Sequence, residues 1–224
     1  MKSLTFLSFL FILSVNLTIS QQTSTKIGLY GNSDLIPINV IASDTIYKGM
    51  KALRVLDTGI SSEAKFVKIP NLNFESGTIE IELSGAPMKD APANVRGFVG
   101  LAFRVHEDDS KFECFYLRPT NARAQNQIRR NHSVQYISYP EFPWHKLRKE
   151  FPKKYETYVD LVPGDWTKVR IVVEGNTAQL YVHGNDQPTL IVNDLKHGTD
   201  NEGTIGLWIG PGTEAYFTNL TVVQ

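Results

Sequence analysis

The chain has one cysteine, Cys114, among 224 residues. A single thiol excludes a disulfide within the chain and any metal site built from several cysteines. Cys114 lies in the apolar run FECFYL, which predicts a buried thiol. A catalytic thiolate would need an activating base close by, and the sequence around Cys114 does not identify one.

An excess of positive charge is also missing, since Lys+Arg and Asp+Glu each number 23. Nucleic-acid-binding proteins usually carry a basic excess, so we expect no nucleic-acid partner. The sequence contains no phosphate-binding loop, no G-x-G-x-x-G turn and no zinc-ligand spacing, and we therefore predict no cofactor. Hard oxygen ligands for a structural calcium ion occur near predicted turns, at Asp57, Asp194, Asp200 and Asn219. No loop has EF-hand spacing, so no metal site is predicted.

The long hydrophobic run of this sequence is at its N-terminus. Residues 4–17 are mostly apolar, follow a lysine, and precede the small residues Thr18 and Ser20. This is the pattern of a secretory signal peptide covering residues 1–20. The run is shorter than the ~20 residues that span a bilayer. We therefore expect residues 21–224 to form one exported domain, secreted or periplasmic, with no membrane span after the signal peptide is removed.

Helical periodicity is scarce, and short runs with alternating apolar residues dominate instead. In GTIEIEL, for example, Ile79, Ile81 and Leu83 share one face of a predicted strand. About a dozen such runs, separated by turn residues, predict an all-β fold: an antiparallel, two-sheet jelly-roll sandwich.

Two of these runs, residues 97–106 and 112–118, flank an acidic turn and predict a β-hairpin. Phe115 and Leu117 are then expected in the core. The alternate residues Arg104, Tyr116 and Arg118 would share a polar and aromatic surface on the opposite face.

The last third reads GDWTKVRIVVEGNTAQLYVHGNDQPTLIVNDL and then GTIGLWIGPGTEAYFTNLTV. The patterns W-x-K-V-x-I-x-V, A-x-L-Y-V-x-G, G-x-I-G-L-W and A-Y-F-x-N-L-x-V resemble the concanavalin A-like lectin/glucanase superfamily. They resemble in particular its laminin-G-like and 3-keto-disaccharide hydrolase (domain of unknown function 1080) branches. The resemblance covers residues 36–223. It implies two antiparallel sheets, one convex and one concave, with a carbohydrate ligand in a groove on the concave sheet.

The candidate ligand-binding residues combine aromatic rings with arginine and histidine: Arg104, Tyr116, Arg118, Arg130, His132, Tyr136, Trp144, Tyr158 and Trp208. Rings stack on the C–H faces of sugars, and polar side chains bond the hydroxyl groups. Arg118, Arg129 and Arg130 could clamp a carboxylate or a sulfate. We expect the site where the long insertion at residues 119–154 meets the sheet, because irregular segments of this length are usually functional or disordered.

His132 is the candidate for proton transfer, because of its intrinsic pKa. The glucanases of this superfamily carry paired carboxylates in an E-x-D-x-x-E strand, and that motif is absent. Glu156 and Asp160 share a face, but exposure to solvent would explain both. Three hypotheses remain: a carbohydrate-binding module, which we prefer, a glycoside or keto-sugar hydrolase using other residues, and a laminin-G-like protein-interaction module.

Overall fold

The computed structural model describes residues 23–199 and 201–224. The predicted signal peptide at residues 1–20 lies outside these residues. The strands of the described residues are Ser24–Ile27 (β1), Ile36–Ile38 (β2), Val40–Tyr47 (β3), Met50–Asp57 (β4), Phe66–Lys68 (β5), Gly77–Pro87 (β6), Val99–Val105 (β7), Phe112–Leu117 (β8), Val134–Tyr139 (β9), Glu156–Thr157 (β10), Thr167–Glu174 (β11), Thr177–Val182 (β12), Leu190–Val192 (β13), Thr204–Ile209 (β14) and Thr213–Val223 (β15). The helices are Pro119–Ala122 (α1), Gln127–Arg130 (α2) and Trp144–Glu150 (α3). Within the described ranges, no helix has the length and apolar character needed to cross a membrane.

These strands form two antiparallel sheets. The first sheet has the order β13-β12-β11-β6-β15-β4-β3, with β1 also paired to β15. The second sheet has the order β10-β9-β8-β7-β14-β5-β2. Strands distant in the chain are neighbours in both sheets, since β6 pairs with β15 and β7 pairs with β14. This arrangement confirms the predicted all-β, two-sheet jelly-roll sandwich.

The core lies between the two sheets and follows the alternation seen in the sequence. Val99 of β7 packs against Gly85 of β6, where a Cβ atom on the glycine would come within 2.6 Å of the valine side chain. Val99 therefore faces the first sheet. Leu101 lies on the same face of β7, is paired with Phe115 of β8, and is fully buried. The predicted hairpin between β7 and β8 is thus confirmed, including its core face.

The other alternate residues of the second sheet lie on its outer face, away from the first sheet. Trp208, Gly100, Tyr116 and Gln135 are direct neighbours across β14, β7, β8 and β9. Gly100 has no side chain, so the Trp208 and Tyr116 rings on either side of it make contact, with centroids 4.8 Å apart. A Cβ atom at Gly100 would lie 2.1 Å from the Phe115 carbonyl oxygen. The close packing of these rings therefore requires glycine at this position.

Much of this outer face is covered rather than open. Helix α3 packs against β9, and its Leu147 is fully buried. Cys114 and Ile137, which are paired on the outer face, are buried as well. Burial raises the pKa of the Cys114 thiol well above its usual range, which agrees with the prediction of a buried thiol. The open part of this face is therefore at the margin of the covered area.

The structure corrects the predicted position of Arg104. The pairing of β7 with β14 is irregular beside Arg104, whose φ is 52°, and the alternation of faces breaks at this bulge. The Arg104 side chain is fully buried and donates hydrogen bonds to the carbonyl oxygens of Glu75, Gly175 and Gly198. Arg104 therefore holds loops together and does not share a surface with Tyr116.

Tyr136 also lies elsewhere than predicted. It is paired with Phe115, faces the core, and is fully buried. Its hydroxyl group donates to the Glu113 carboxylate and accepts a hydrogen bond of 2.9 Å from the Lys196 backbone N–H. The other oxygen of Glu113 accepts from the His197 backbone N–H. Tyr136 therefore anchors the segment that follows β13, and no ligand can reach it.

Candidate functional site

A cavity of 330 Å³ lies where the second sheet meets residues 119–154, and we call it the arginine cavity. Its lining combines arginines, aromatic rings and polar side chains: Arg96, Phe98, Arg118, Asn121, Arg129, His132, Trp144 and Arg148. Arg96 and Phe98 lead into β7, Arg118 follows β8, and the other lining residues belong to the predicted insertion. The cavity is therefore at the junction between the insertion and the sheet, where a site was predicted.

Arg118 is held at the centre of this cavity by its neighbours. Its guanidinium carbon lies 5.1 Å from the ring centroid of Phe98 and 5.0 Å from that of Tyr116. It donates to the Tyr116 hydroxyl oxygen at 2.7 Å and to the His132 carbonyl oxygen at 3.1 Å. Cation–π contacts and charge-assisted hydrogen bonds both orient a guanidinium group. Arg118 is thus a cation already positioned for a ligand.

Among the described residues at this cavity, three buried polar atoms have neither a hydrogen-bond partner nor an ion-pair partner. Within the part of the chain that the structure describes, Arg118 Nε, Asn121 Oδ1 and Arg129 Nε make no hydrogen bond. Buried polar groups are nearly always paired, so an unpaired group requires an explanation. All three residues border the arginine cavity. A ligand with both acidic oxygens and hydroxyl groups would satisfy them, because the nitrogens donate and the amide oxygen accepts.

Helix α3 supplies an accessible ring and a further cation. Trp144 and Arg148 are four residues apart and therefore lie on the same side of the helix. The Arg148 guanidinium carbon is 4.8 Å from the Trp144 ring centroid. Trp144 is 37% exposed, which leaves part of its ring open to solvent. A ring oriented in this way can stack on the C–H face of a sugar.

His132 contacts a buried carboxylate. Its Nδ1 atom is 2.7 Å from Glu156 Oε2, and Arg148 Nη2 lies 2.7 Å from the same oxygen. Burial lowers the pKa of His132 below its ordinary value of 6.5, and the charges of Arg148 and Arg118 lower it further, against the opposing effect of Glu156. The net effect favours the neutral imidazole. The expectation that Glu156 is solvated is wrong, because β10 places it beneath these two side chains.

The lining of the arginine cavity is positively charged, although Glu156, which lies beneath it, pairs with Arg148. Four arginines border it, and no aspartate or glutamate does. Burial lowers the pKa of Arg96, and the charge of the nearby Arg129 lowers it further. Like charges held together in a partly buried site attract an anion. The cavity is therefore suited to a carboxylate or sulfate group.

A second cavity of 360 Å³ adjoins the first, and we call it the tyrosine cavity. It is lined by Ile128, Asn131, His132, Lys153, Glu156, Thr157 and Tyr158, so that His132 borders both cavities. Two predicted site residues meet here. Arg130 Nη2 donates to the Tyr158 hydroxyl oxygen at 3.2 Å, and its guanidinium carbon lies 5.3 Å from the Tyr158 ring centroid.

Tyr116 and Trp208 lie beneath the site rather than in contact with solvent. They are 2% and 1% exposed, and Trp208 Nε1 donates to the Glu63 carbonyl oxygen at 2.8 Å. Burial raises the pKa of Tyr116 to about 12, so its hydroxyl stays neutral and accepts from Arg118. This burial corrects the prediction that both rings stack on a ligand. Tyr116 supports Arg118, and Trp208 packs against the Tyr116 ring.

The structure thus brings together Arg118, His132 and Trp144 of the predicted set, with Arg130 and Tyr158 next to them. It adds Arg96, Phe98, Asn121 and Arg148, which the sequence analysis did not select. Two of these residues could have been selected from the spacing of the sequence. Arg148 follows Trp144 by one helical turn, and Phe98 precedes Gly100 on the same strand face. Arg96 and Asn121 carry no such signal, because the loop before β7 and the short helix α1 direct them into the cavity.

Among the described residues, no group of three or more His, Cys, Asp or Glu residues could hold a metal ion. Asp57 forms an ion pair with Lys65, and Asp194 Oδ2 lies 2.8 Å from Lys154 Nζ. Ammonium groups thus stand beside two of the carboxylates that could have bound calcium. Asp200 lies outside the described residues.

The sheet order and its crossovers define a jelly-roll sandwich of the concanavalin A and galectin type. No protein-family model matches the chain, and no curated protein matches it. Among solved structures, it is similar to the carbohydrate-binding module CBM66 from Bacillus subtilis, with a TM-score of 0.53 and 14% identity over 88% of this chain and 99% of that chain. A Bacillus subtilis protein of unknown function with a galectin-like fold gives a TM-score of 0.50 and 12% identity, covering 90% of this chain and 98% of that one.

A third structure, of a candidate glycosyl hydrolase from Parabacteroides distasonis, gives a TM-score of 0.50 and 11% identity. The match covers 84% of this chain and 87% of that chain. At such low identities these similarities establish the fold alone, since one fold carries many functions.

Proposed function

We propose that this chain is an exported carbohydrate-binding protein that holds an acidic sugar in the arginine cavity. The observation that carries the proposal is the set of unpaired buried atoms, Arg118 Nε, Asn121 Oδ1 and Arg129 Nε, around one cationic cavity. Uronic acids and sulfated sugars combine an anionic group, hydroxyl groups and an apolar C–H face. These three features match the arginines, Asn121 and Trp144, respectively.

Two further observations support this proposal. Sugar-binding modules are among the proteins that share the fold, as the name of the Bacillus subtilis module states. The residue pattern at positions 1–20 is that of a signal peptide, which is consistent with export. Mass spectrometry of the exported protein tests the second point, with a mature N-terminus at Gln21 as the expected result.

Binding to an array of acidic and neutral glycans, followed by calorimetry on the acidic glycan that is retained, tests the proposal. Arg129→Gln removes a cation whose Nε has no partner, and we expect it to weaken binding about tenfold or more, since hydrogen bonds to charged groups contribute ~1.5–3 kcal/mol. The matched control is Arg170→Gln, because Arg170 belongs to β11 of the first sheet. Retention of neutral glycans alone, or equal affinities for the two variants, would contradict the proposal.

A second candidate function is an enzyme on the same fold, as the resemblance to the 3-keto-disaccharide hydrolase branch suggests. The observation in its favour is His132, which borders both cavities and contacts the Glu156 carboxylate. Glu63 is a further half-buried carboxyl group near Arg118, and burial raises its pKa. An imidazole and a carboxyl group with a raised pKa are suitable for proton transfer.

Incubation with acidic oligosaccharides, with chromatography of the reducing ends, separates the two candidates. Product that forms with the parent protein and disappears with His132→Ala would favour the enzyme. Binding without product would favour the binding protein.

A further inference from the structure

The tyrosine cavity is not used by the proposed function, although it shares a wall with the arginine cavity. Helix α2 and the residues after it form this wall. Ile128 and Asn131 border the tyrosine cavity, and their chain neighbours Arg129 and His132 border the arginine cavity. Successive residues of a helix project about 100° apart, so one short segment presents side chains to both cavities. The two cavities are therefore adjacent parts of one surface.

The chemistry of the tyrosine cavity is different from that of its neighbour. Tyr158 and Ile128, which are 40% and 69% exposed, provide an apolar surface. Asn131 adds an amide that can bond hydroxyl groups. The charged lining residues Lys153 and Glu156 have opposite signs. This cavity therefore matches an uncharged sugar ring, which packs one C–H face on the tyrosine and directs hydroxyl groups to the amide.

The Tyr158 ring is held in place for such packing. Arg130 lies over the ring and donates to its hydroxyl oxygen. The two cavities, at 330 and 360 Å³, are near the lower end of the ~300–1,000 Å³ typical of ligand pockets. Each is suited to one or two sugar rings, and a longer chain would have to occupy both.

We infer that the tyrosine cavity is a second sugar subsite. The ligand is then an acidic oligosaccharide of at least two units, with its anionic unit in the arginine cavity and an uncharged neighbouring unit against Tyr158. The linkage between the two units passes beside His132, the residue that borders both cavities. This inference rests on the proposed function, because it requires the anionic unit in the arginine cavity.

Calorimetry with sugars of increasing length tests the subsite. One series is glucuronic acid with hyaluronan di- and tetrasaccharides, in which a uronic acid alternates with an uncharged amino sugar. The second is galactose sulfate with carrageenan di- and tetrasaccharides, in which a sulfated sugar alternates with an uncharged one. The two series distinguish a carboxylate from a sulfate as the anionic group. In the series that binds, we expect the disaccharide to bind about tenfold more tightly than the monosaccharide.

We expect Tyr158→Ala to abolish this dependence on length. Tyr30→Ala is the matched control, since Tyr30 is 42% exposed and lies outside both cavities, and it should keep the dependence. Equal affinities for mono- and disaccharides would contradict the subsite, and so would a length dependence that Tyr158→Ala does not remove. Neither result would contradict the proposed function. If neither series binds, the inference fails, and the glycan array decides the proposed function separately.

Discussion

His132 Nδ1 lies 2.7 Å from Glu156 Oε2 at the boundary between the two cavities. The same carboxylate oxygen also forms an ion pair with Arg148. One buried carboxylate therefore contacts a permanent cation, Arg148, and an ionisable imidazole, His132. The pairing connects the segment after α2 to β10. It places His132, the histidine that borders both cavities, beside a buried carboxylate.

We predict that an acidic sugar binds more tightly as the pH falls from about 8 to about 5. In the free protein, burial and the charges of Arg148 and Arg118 lower the pKa of His132. A bound anion would raise this pKa, so the complex takes up a proton. The affinity therefore rises as the pH falls through the pKa of the complex, and it levels off below the pKa of the free protein. Calorimetry in buffers of different ionisation enthalpy measures the affinity and the proton uptake.

The control for this prediction is a histidine outside both cavities. His106 follows β7 at the strand end opposite Phe98 and contacts Asn201, so His106→Gln should keep the slope of affinity against pH. His132→Gln should flatten it. If the affinity of the parent protein stays constant over this pH range, ligand binding does not change the pKa of His132.

Trp144 and Trp208 should behave differently when each is changed to alanine. Trp208 is 1% exposed and donates to the Glu63 carbonyl oxygen, so its loss should reduce the free energy of unfolding by about 3–5 kcal/mol. Trp144 is 37% exposed, and its loss should cost at most about 1 kcal/mol while sugar binding weakens. Urea denaturation and calorimetry on both variants measure the two effects. A Trp208→Ala variant that keeps its stability but binds sugar more weakly would show that Trp208 contacts the ligand and is not a structural residue.

Arg104 should be important for stability and not for binding. Its substitution by alanine removes the donor to three carbonyl oxygens at a fully buried position. We expect a loss of about 3 kcal/mol or more in the free energy of unfolding. Arg123→Ala is the control, because Arg123 is exposed and pairs with Asp160, and such surface pairs contribute about 0–1 kcal/mol. An unchanged denaturation midpoint in the Arg104→Ala variant would contradict the structural role of Arg104.

Asp194 should make the protein sensitive to acid. Burial alone would raise the pKa of Asp194, but hydrogen bonds from Lys154, Tyr155 and Lys196 lower it to about 2. In the unfolded chain the pKa is about 3.9. Because the folded form has the lower pKa, this stabilisation is present above about pH 4 and is lost as the pH falls towards 2.

Thermal denaturation between these pH values measures this effect. Asp194→Asn should remove this part of the acid dependence, and Asp186→Asn, at an exposed position in the turn after β12, should not. If both variants keep the full dependence of thermal stability on pH, a group other than Asp194 causes it.

The hairpin of β7 and β8 illustrates how far the sequence alone can predict this fold. Its two core residues, Leu101 and Phe115, are opposite each other as expected, because alternation is a local property of a strand. Arg104 belongs to the same strand and was misplaced, since a bulge changes the face of a single residue without an evident mark in composition. Tyr136 was misplaced because an aromatic residue with a hydroxyl group suits a core network as well as a ligand.

What the sequence determined by itself is the all-β sandwich, the core faces of its strands and the junction of residues 119–154 with the second sheet. These depend on local periodicity and on the position of turns. Only the tertiary structure decided which aromatic rings of the outer face are buried and which arginines border the same cavity. Trp208 and Tyr116 are buried because other segments pack over them, and Arg96, Arg129 and Arg148 border one cavity although they come from separate loops and helices. Burial and convergence of this kind depend on contacts between distant parts of the chain, which no local pattern encodes.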